Sequence, residues 1–292
     1  MNELILGTAQ FGAGYGITNA TGRIGDQAMA AILRAAAEEG IGLFDTAADY
    51  GDSQARLGAA AGSAARKYVT KFSLASAPER PTTGTLFENS ARSLNVERLE
   101  GVLFHRVSDL EDARCAEAVD QVREARADGR LLHAGVSIYD DDDLQLALAA
   151  FPDLDLLQIP GNVVDRRLLE SPTVAALRRD GVEIHVRSAL LQGLLLASAE
   201  SLPPFFAPLA PVLESLARIA LAHETSVLAV LLGFLRNNPI VDGVVFGATT
   251  EAEIREVASA WNEAVEVPAD FGVGLLDEIL DPRRWPAVKV LS

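Results

Sequence analysis

Eight short apolar runs, each followed by a stretch with helical periodicity, constrain this 292-residue chain more than any other feature. The runs are Leu4–Leu6, Gly42–Phe44, Tyr68–Thr70, Gly101–Phe104, His133–Val136, Leu156–Ile159, Glu183–Val186 and Gly243–Val245. They are rich in Val, Ile and Leu and show no alternation of apolar and polar residues, as expected of strands covered on both faces. Helices are expected between them at Asp26–Glu39, Thr83–Ser93, Asp112–Asp128, Asp141–Ala149, Leu168–Arg179 and Glu251–Trp261. Asp26 and Thr225 are placed to cap helices by accepting from free amide donors. Gly40, Gly129 and Gly181 are placed to close them in the left-handed conformation. The acidic run Asp140–Asp143 suits a helix start.

Eight such units without a compositional break predict an α/β chain folded as a single (β/α)8 barrel over residues 1–292. A doubly wound sheet is the alternative. The seventh connection, Ser188 to Ile240, is the longest, with room for helices at Pro208–Ala222 and Ser226–Arg236; insertions of this kind are usually functional. The tail from Val267 carries a short helix, Gly274–Leu280, and Trp285.

Composition narrows the partners. A net charge of −16 argues against nucleic acid, whose phosphates the surface would repel. One cysteine, Cys115, fits a reducing cytoplasm. Met1-Asn2-Glu3 leads straight into the first strand, so no secretory signal is expected. The longest apolar run, Val227 to Leu235, is too short to span a bilayer. The expectation is a cytoplasmic protein, a monomer or small homo-oligomer, acting on a small molecule.

In a barrel of this kind the chemistry sits where strands end at their carboxyl side. Those exits read Gly7-Thr8, Asp45, Lys71, His105, Ser137, Gln158, Arg187 and Gly247, with Tyr50 five residues beyond Asp45. Singly, each has a bland explanation: Asp45 as a turn residue, Lys71 as a surface lysine, His105 as a half-buried histidine. Together they bring an acid, a phenol, an ammonium and an imidazole to one bowl. Lys71 is expected to stabilise a Tyr50 phenolate and lower the phenol's proton affinity, Asp45 to hold Lys71, and His105 to orient a substrate oxygen. The four histidines lack metal-ligand spacing, and no metal is expected.

With Leu6-Gly7-Thr8, Asp45-Thr46-Ala47-Ala48-Asp49-Tyr50-Gly51, Thr70-Lys71, His105, Gly135-Val136-Ser137, Gln158 and Phe246-Gly247-Ala248, the sequence resembles the aldo-keto reductase superfamily from Leu4 to about Trp261. The resemblance implies hydride transfer between a nicotinamide cofactor, NAD(P)H, and an aldehyde, ketone or sugar. Tyr50 would be the general acid, with Asp45, Lys71 and His105 as its partners. It implies cofactor contacts from Gly7, Thr8, Asp45, Ser137, Gln158, Arg187, Gly247, Ala248, Thr249, Glu253 and Glu256. Ser137 and Gln158 would take the carboxamide, and Arg187, where many relatives carry tyrosine, would lie against the ring.

Three departures bear on this. Ile138 replaces the usual Asn after Ser137. Glycine and Glu253, or Thr249, stand where relatives that prefer NADPH carry basic residues, and Val257 replaces an Asn after the adenine-reading Glu256. A carboxylate near a 2′-phosphate is repulsive by about 1 kcal/mol or more at an effective dielectric near 20, so NADH is favoured unless Arg255 swings in. With three residues before the first strand, no counterpart of the family's N-terminal hairpin across the barrel floor is expected. Phe11, Tyr15, Phe205, Phe206 and Trp285 are candidate substrate walls. A cofactor-binding regulatory barrel, or a non-redox lyase or isomerase, is the rival reading.

Overall fold

The eight apolar runs form β1 (Glu3–Gly7), β2 (Leu43–Asp45), β3 (Lys67–Phe72), β4 (Leu99–Phe104), β5 (Leu131–Ser137), β6 (Leu156–Pro160), β7 (Glu183–Arg187) and β8 (Gly243–Gly247). In the computed structural model each pairs in parallel with its sequence neighbour, and β8 closes on β1, giving a closed eight-stranded barrel. The structure describes residues 2–17, 19, 22–60, 66–76, 85–263, 265, 267, 271 and 277–286. The open, doubly wound alternative is thereby excluded.

Helices cover the barrel: α1 (Ala9–Gly12), α2 (Asp26–Glu38), α3 (Ser53–Ala59), α4 (Thr85–Leu94), α5 (Cys115–Ala127), α6 (Asp141–Ala150), α7 (Pro172–Arg179), α8 (Ala210–Ala222), α9 (Val227–Arg236), α10 (Glu251–Asn262) and α11 (Asp277–Leu280). The starts differ from expectation where a better partner exists. Asp26 does not cap α2; Gly25 occupies that position, and the Asp26 carboxylate receives Arg56 instead, at 3.0 Å from Nε. Thr225 does not cap α9 either, because Ser226 accepts from the Ala229 amide at 3.1 Å while Thr225 turns to Glu263. Asp140 caps α6 as the acidic run suggested, and Gly40, Gly129 and Gly181 all take positive φ. The expected start of α5 at Asp112 is displaced by a 3₁₀ turn, and α7 starts at Pro172, not Leu168. The starts expected at Thr83 and Gly274 lie outside the described residues.

Strand pleat explains where the core and the site lie. Alternate residues face opposite ways, so Ile5, Leu43, Val69, Leu103 and Leu156 meet inside the barrel as one cluster, joined by Val245. A much larger apolar shell fills the space between strands and helices. Counting two residues further along each strand from the inner cluster gives Gly7, Asp45, Lys71, His105, Gln158 and Gly247. The alternation that is invisible in the apolar runs is therefore present, and its last inward position is polar except on β1 and β8, where it is glycine.

The long seventh connection builds a second cluster beside the barrel mouth, around Phe206, Leu209, Leu213, Leu216 and Ile279. Its helical stretch Pro204–Ala222 is long and apolar enough to cross a bilayer, longer than the run anticipated from sequence. It is split into a 3₁₀ turn and α8, and its inner side packs in this cluster.

Candidate active site

Five polar residues at the strand ends are joined by hydrogen bonds at the carboxyl end of the barrel. The Lys71 ammonium donates to Asp45 Oδ1 at 2.5 Å, with both side chains almost wholly buried. Gln158 Nε2 donates to the other Asp45 oxygen at 2.8 Å. Ser137 Oγ donates to Gln158 Oε1 at 3.1 Å and accepts from Arg187 Nε at 3.3 Å. The chain of contacts thus runs from β3 through β2, β6 and β5 to β7. A buried charge is stable only with partners of this kind.

Tyr50 reaches the same place from the loop after β2. That loop is tied to β3 by Thr46 N to Val69 O and Ala48 N to Lys71 O, both 2.9 Å. Gly51, at φ 56°, turns the chain directly after the phenol. A side-chain carbon on Gly51 would lie 2.5 Å from the Gly12 carbonyl oxygen, and one on Gly12 would lie 1.7 Å from that of Tyr50. Two backbones in contact therefore seat the Tyr50 turn, and only glycine fits on either side. The phenol oxygen then lies 3.4 Å from Lys71 Nζ.

The electrostatics depart from expectation. Burial first, and the Asp45 carboxylate second, push the Tyr50 phenol well above its ordinary value. The lowering expected from Lys71 does not prevail: its ammonium is hydrogen-bonded to Asp45, and burial holds it below the usual lysine range. His105 follows Phe104 with its amide on Phe72 O at 2.8 Å, and its ring meets Tyr50 edge-on at 5.7 Å. Burial and the Lys71 charge bring its imidazole down to about 4, although Asp49 lies 3.7 Å from Nδ1. At neutral pH Tyr50 and His105 are both uncharged.

A cavity of about 570 Å³ opens over these groups. It is lined by Asp45, Tyr50, Gln158 and Arg187 at the strand ends, and by Gly7, Thr8 and Gly247 along β1 and β8. Thr249, Glu253 and Glu256 complete it at the start of α10. Lys71 and Ser137 sit behind this lining, in contact with Asp45 and Gln158. His105 adjoins Tyr50, and Ala248 is buried below the surface. Of the proposed aromatic walls only Tyr15 lines the cavity. Phe11 is fully buried in the shell, and Phe205, Phe206 and Trp285 meet edge to face in the second cluster, 4.9 Å apart in successive pairs. Apolar area beside the mouth was worth more to packing than to the pocket wall.

The lining residues of the seventh connection were not singled out individually by the sequence. Ser188, Ala189, Leu190, Gln192 and Gly193 belong to a loop with left-handed φ at Ser188, Leu191, Gln192 and Gly193. Such strain in non-glycine residues persists only where surrounding structure enforces it, often at ligand sites. Gln10 sits over Gly247, within 2.5 Å of where a side chain there would begin. At the far end Glu253 accepts from the Thr249 amide at 2.6 Å while Thr250 accepts from the Glu253 amide at 3.2 Å, a reciprocal cap on α10. Arg255 points away, held by Glu38 at 2.6 Å and Glu39 at 3.2 Å. The reversal that Arg255 would have brought does not occur in this structure.

The aldo/keto reductase family model matches residues 3–272. Solved structures sharing the fold include a protein assigned as an aldo-keto reductase in Pseudomonas aeruginosa, 21% identical over 90% of each chain with a TM-score of 0.64. A thermostable aldo-keto reductase solved with the inhibitor epalrestat is 21% identical over 93% of each chain, with a TM-score of 0.69. The glycerol dehydrogenase of Gluconobacter oxydans is 20% identical over 94% of this chain and 88% of its own, with a TM-score of 0.67. No curated protein sequence matches the chain.

Proposed function

The chain belongs to the aldo-keto reductase family, whose members are nicotinamide-dependent oxidoreductases of carbonyl and alcohol groups, and we propose that it moves the reaction's proton through Tyr50. The observation that carries this is the Tyr50 hydroxyl, 3.4 Å from Lys71 Nζ, beside a cavity that reaches from these groups to the start of α10. When bound, the nicotinamide exchanges a hydride with the substrate carbon. Everything at the substrate oxygen falls to the protein.

Tyr50, kept protonated by its surroundings, donates to the carbonyl oxygen as charge develops there. The nearby ammonium then steadies the phenolate, and Asp45 holds that ammonium in place. Neutral His105 donates one ring N–H to the same oxygen and orients it.

The cavity residues fit a dinucleotide. Gln158 has one amide hydrogen left beyond its bond to Asp45, so it and Ser137 suit a carboxamide. Arg187 flanks that place, and Gly7 and Thr8 line the same cavity. The strained loop Ser188–Gly193 suits the diphosphate, and Gly247, Ala248, Thr249, Glu253 and Glu256 the adenosine. With Glu253 fixed on Thr249 and Arg255 drawn off by Glu38 and Glu39, the adenosine end offers carboxylates and, among the described residues, no cation, which favours NADH.

Titration with NADH and with NADPH, read by protein fluorescence, tests this. Micromolar binding with NADH the tighter is expected; tighter NADPH overturns the cofactor preference, and binding of neither overturns the redox role.

A further inference from the structure

Arg187 is the only cationic side chain lining the cavity among the described residues, in a chain of net charge −16. Its hydrogen bonds go to uncharged groups: Ser137 Oγ at 3.3 Å, Ile138 O at 2.9 Å and Ser188 Oγ at 3.4 Å. These account for three of its five N–H groups. Every other buried charge of the site has an opposite partner, as Lys71 has Asp45. A fixed guanidinium left without a carboxylate in a cavity is the arrangement that recognises one on a ligand.

A clamp holds it there. The Arg187 guanidinium carbon lies 3.9 Å from the centre of the Tyr139 ring, and that of Arg283 lies 4.0 Å from the same centre. Two cations so close to one ring occupy its opposite faces, so Tyr139 is the middle layer of a three-layer stack. Arg283 is neutralised by Asp281 at 2.8 Å, Asp140 at 3.0 Å and Asp143 at 3.6 Å. The stack therefore presents one uncompensated charge, and that charge is on the cavity side. It is close enough to Tyr50 to oppose the upward push on the phenol.

We propose that Arg187 binds a carboxylate carried by the carbonyl substrate, and that Tyr139, braced from behind by Arg283, is a positioning residue for it. The proposal rests on the oxidoreductase reading and names its substrate class: aldehydes or ketones bearing a carboxylate. The carboxylate receives the two remaining N–H groups while the carbonyl lies toward Tyr50. Three layers anchored by the C-terminal segment make the guanidinium rigid, so little order has to be gained on binding.

The test uses the purified protein saturated with its preferred reduced dinucleotide. Turnover of 4-carboxybenzaldehyde is compared with that of its uncharged methyl ester. An acid preference of roughly tenfold or more in kcat/KM, carried by KM and reduced by added salt, is expected. Arg187→Gln should abolish the preference, read as the ratio of acid to ester kcat/KM at saturating dinucleotide whatever the variant does to overall turnover. Tyr139→Phe, which keeps the stack, should retain it, and Tyr139→Leu should lose much of it. Equal or better use of the ester by the native protein, or an unchanged preference in Arg187→Gln, overturns the proposal. If neither aldehyde turns over, calorimetry of benzoate against benzyl alcohol on the dinucleotide complex decides the same point. Benzoate must bind more tightly, and lose that advantage in Arg187→Gln. A protein that binds no dinucleotide overturns the redox role itself, whereas one that binds it without favouring the anion overturns only Arg187.

Discussion

Tyr50 and His105 are moved in opposite directions by one cause. Burial disfavours charge, so it raises a group that ionises to an anion and lowers one that ionises to a cation. Tyr50 thus keeps its proton and His105 does without one, which suits a donor beside an orienting imidazole. Tyr50→Phe is expected to lower kcat/KM for carbonyl reduction by about 10²–10⁴-fold with dinucleotide affinity nearly unchanged, since only the proton donor is lost. Steady-state kinetics and a binding titration on one preparation check both halves. Because the imidazole titrates at about 4, the acidic limb of the pH–rate profile is expected near that value. A limb near 6.5 would show that His105 is not the group governing it.

Single elements do two jobs near the cavity. Glu253 lines the adenosine end and also caps α10 through Thr249. Glu253→Arg should therefore shift cofactor preference toward NADPH while costing about 1 kcal/mol of stability, as lost caps do. Glu253→Gln, which keeps the acceptor, should preserve most of that stability; urea unfolding and paired cofactor titrations separate the effects. The first loop works in the same way on Tyr50. Gly12→Ala drives a carbon to 1.7 Å from the Tyr50 carbonyl, so the turn must move. Activity is expected to fall by about 10-fold or more, as misplacement by an ångström does, and the loss should show in turnover more than in dinucleotide affinity.

Across the whole molecule the barrel carries charge at both ends. At the amino end Glu183 lies between His185 Nε2 at 2.9 Å and His133 Nε2 at 3.6 Å, and Asp155 lies 3.3 Å from His133 Nδ1. The Asp155 carboxylate beside Nδ1 raises His133, so its stabilisation is present at acidic pH and is lost as pH rises through its folded value. His105 has the opposite sign. Its folded value of about 4 lies below the unfolded value near 6.5, so the unfolded chain binds the extra proton between them. Stability is lost as pH falls through that window, by up to about 3 kcal/mol before screening. His105→Asn should flatten the acid side of a plot of unfolding free energy against pH while leaving the alkaline side in place. Denaturant melts at pH 5 and pH 7.5 give the comparison.

What the sequence determined by itself was local or periodic. Eight strands, the barrel they close, the glycine helix ends at Gly40, Gly129 and Gly181, and the polar residues at the strand exits were all legible. They follow from short-range sterics and from which faces must be apolar. The tertiary structure decided whatever depended on competition among partners distant in sequence. Asp26 went to Arg56 and not to its own helix, Phe11 and Phe206 went to the core and not to the cavity, and Arg255 went to α2. Lys71 went to Asp45, burial kept Tyr50 protonated, and Arg187 was left without a carboxylate among the described residues. Proton affinity and partner choice depend on burial and on the nearest opposite charge, and both are set only when the strands close into a barrel.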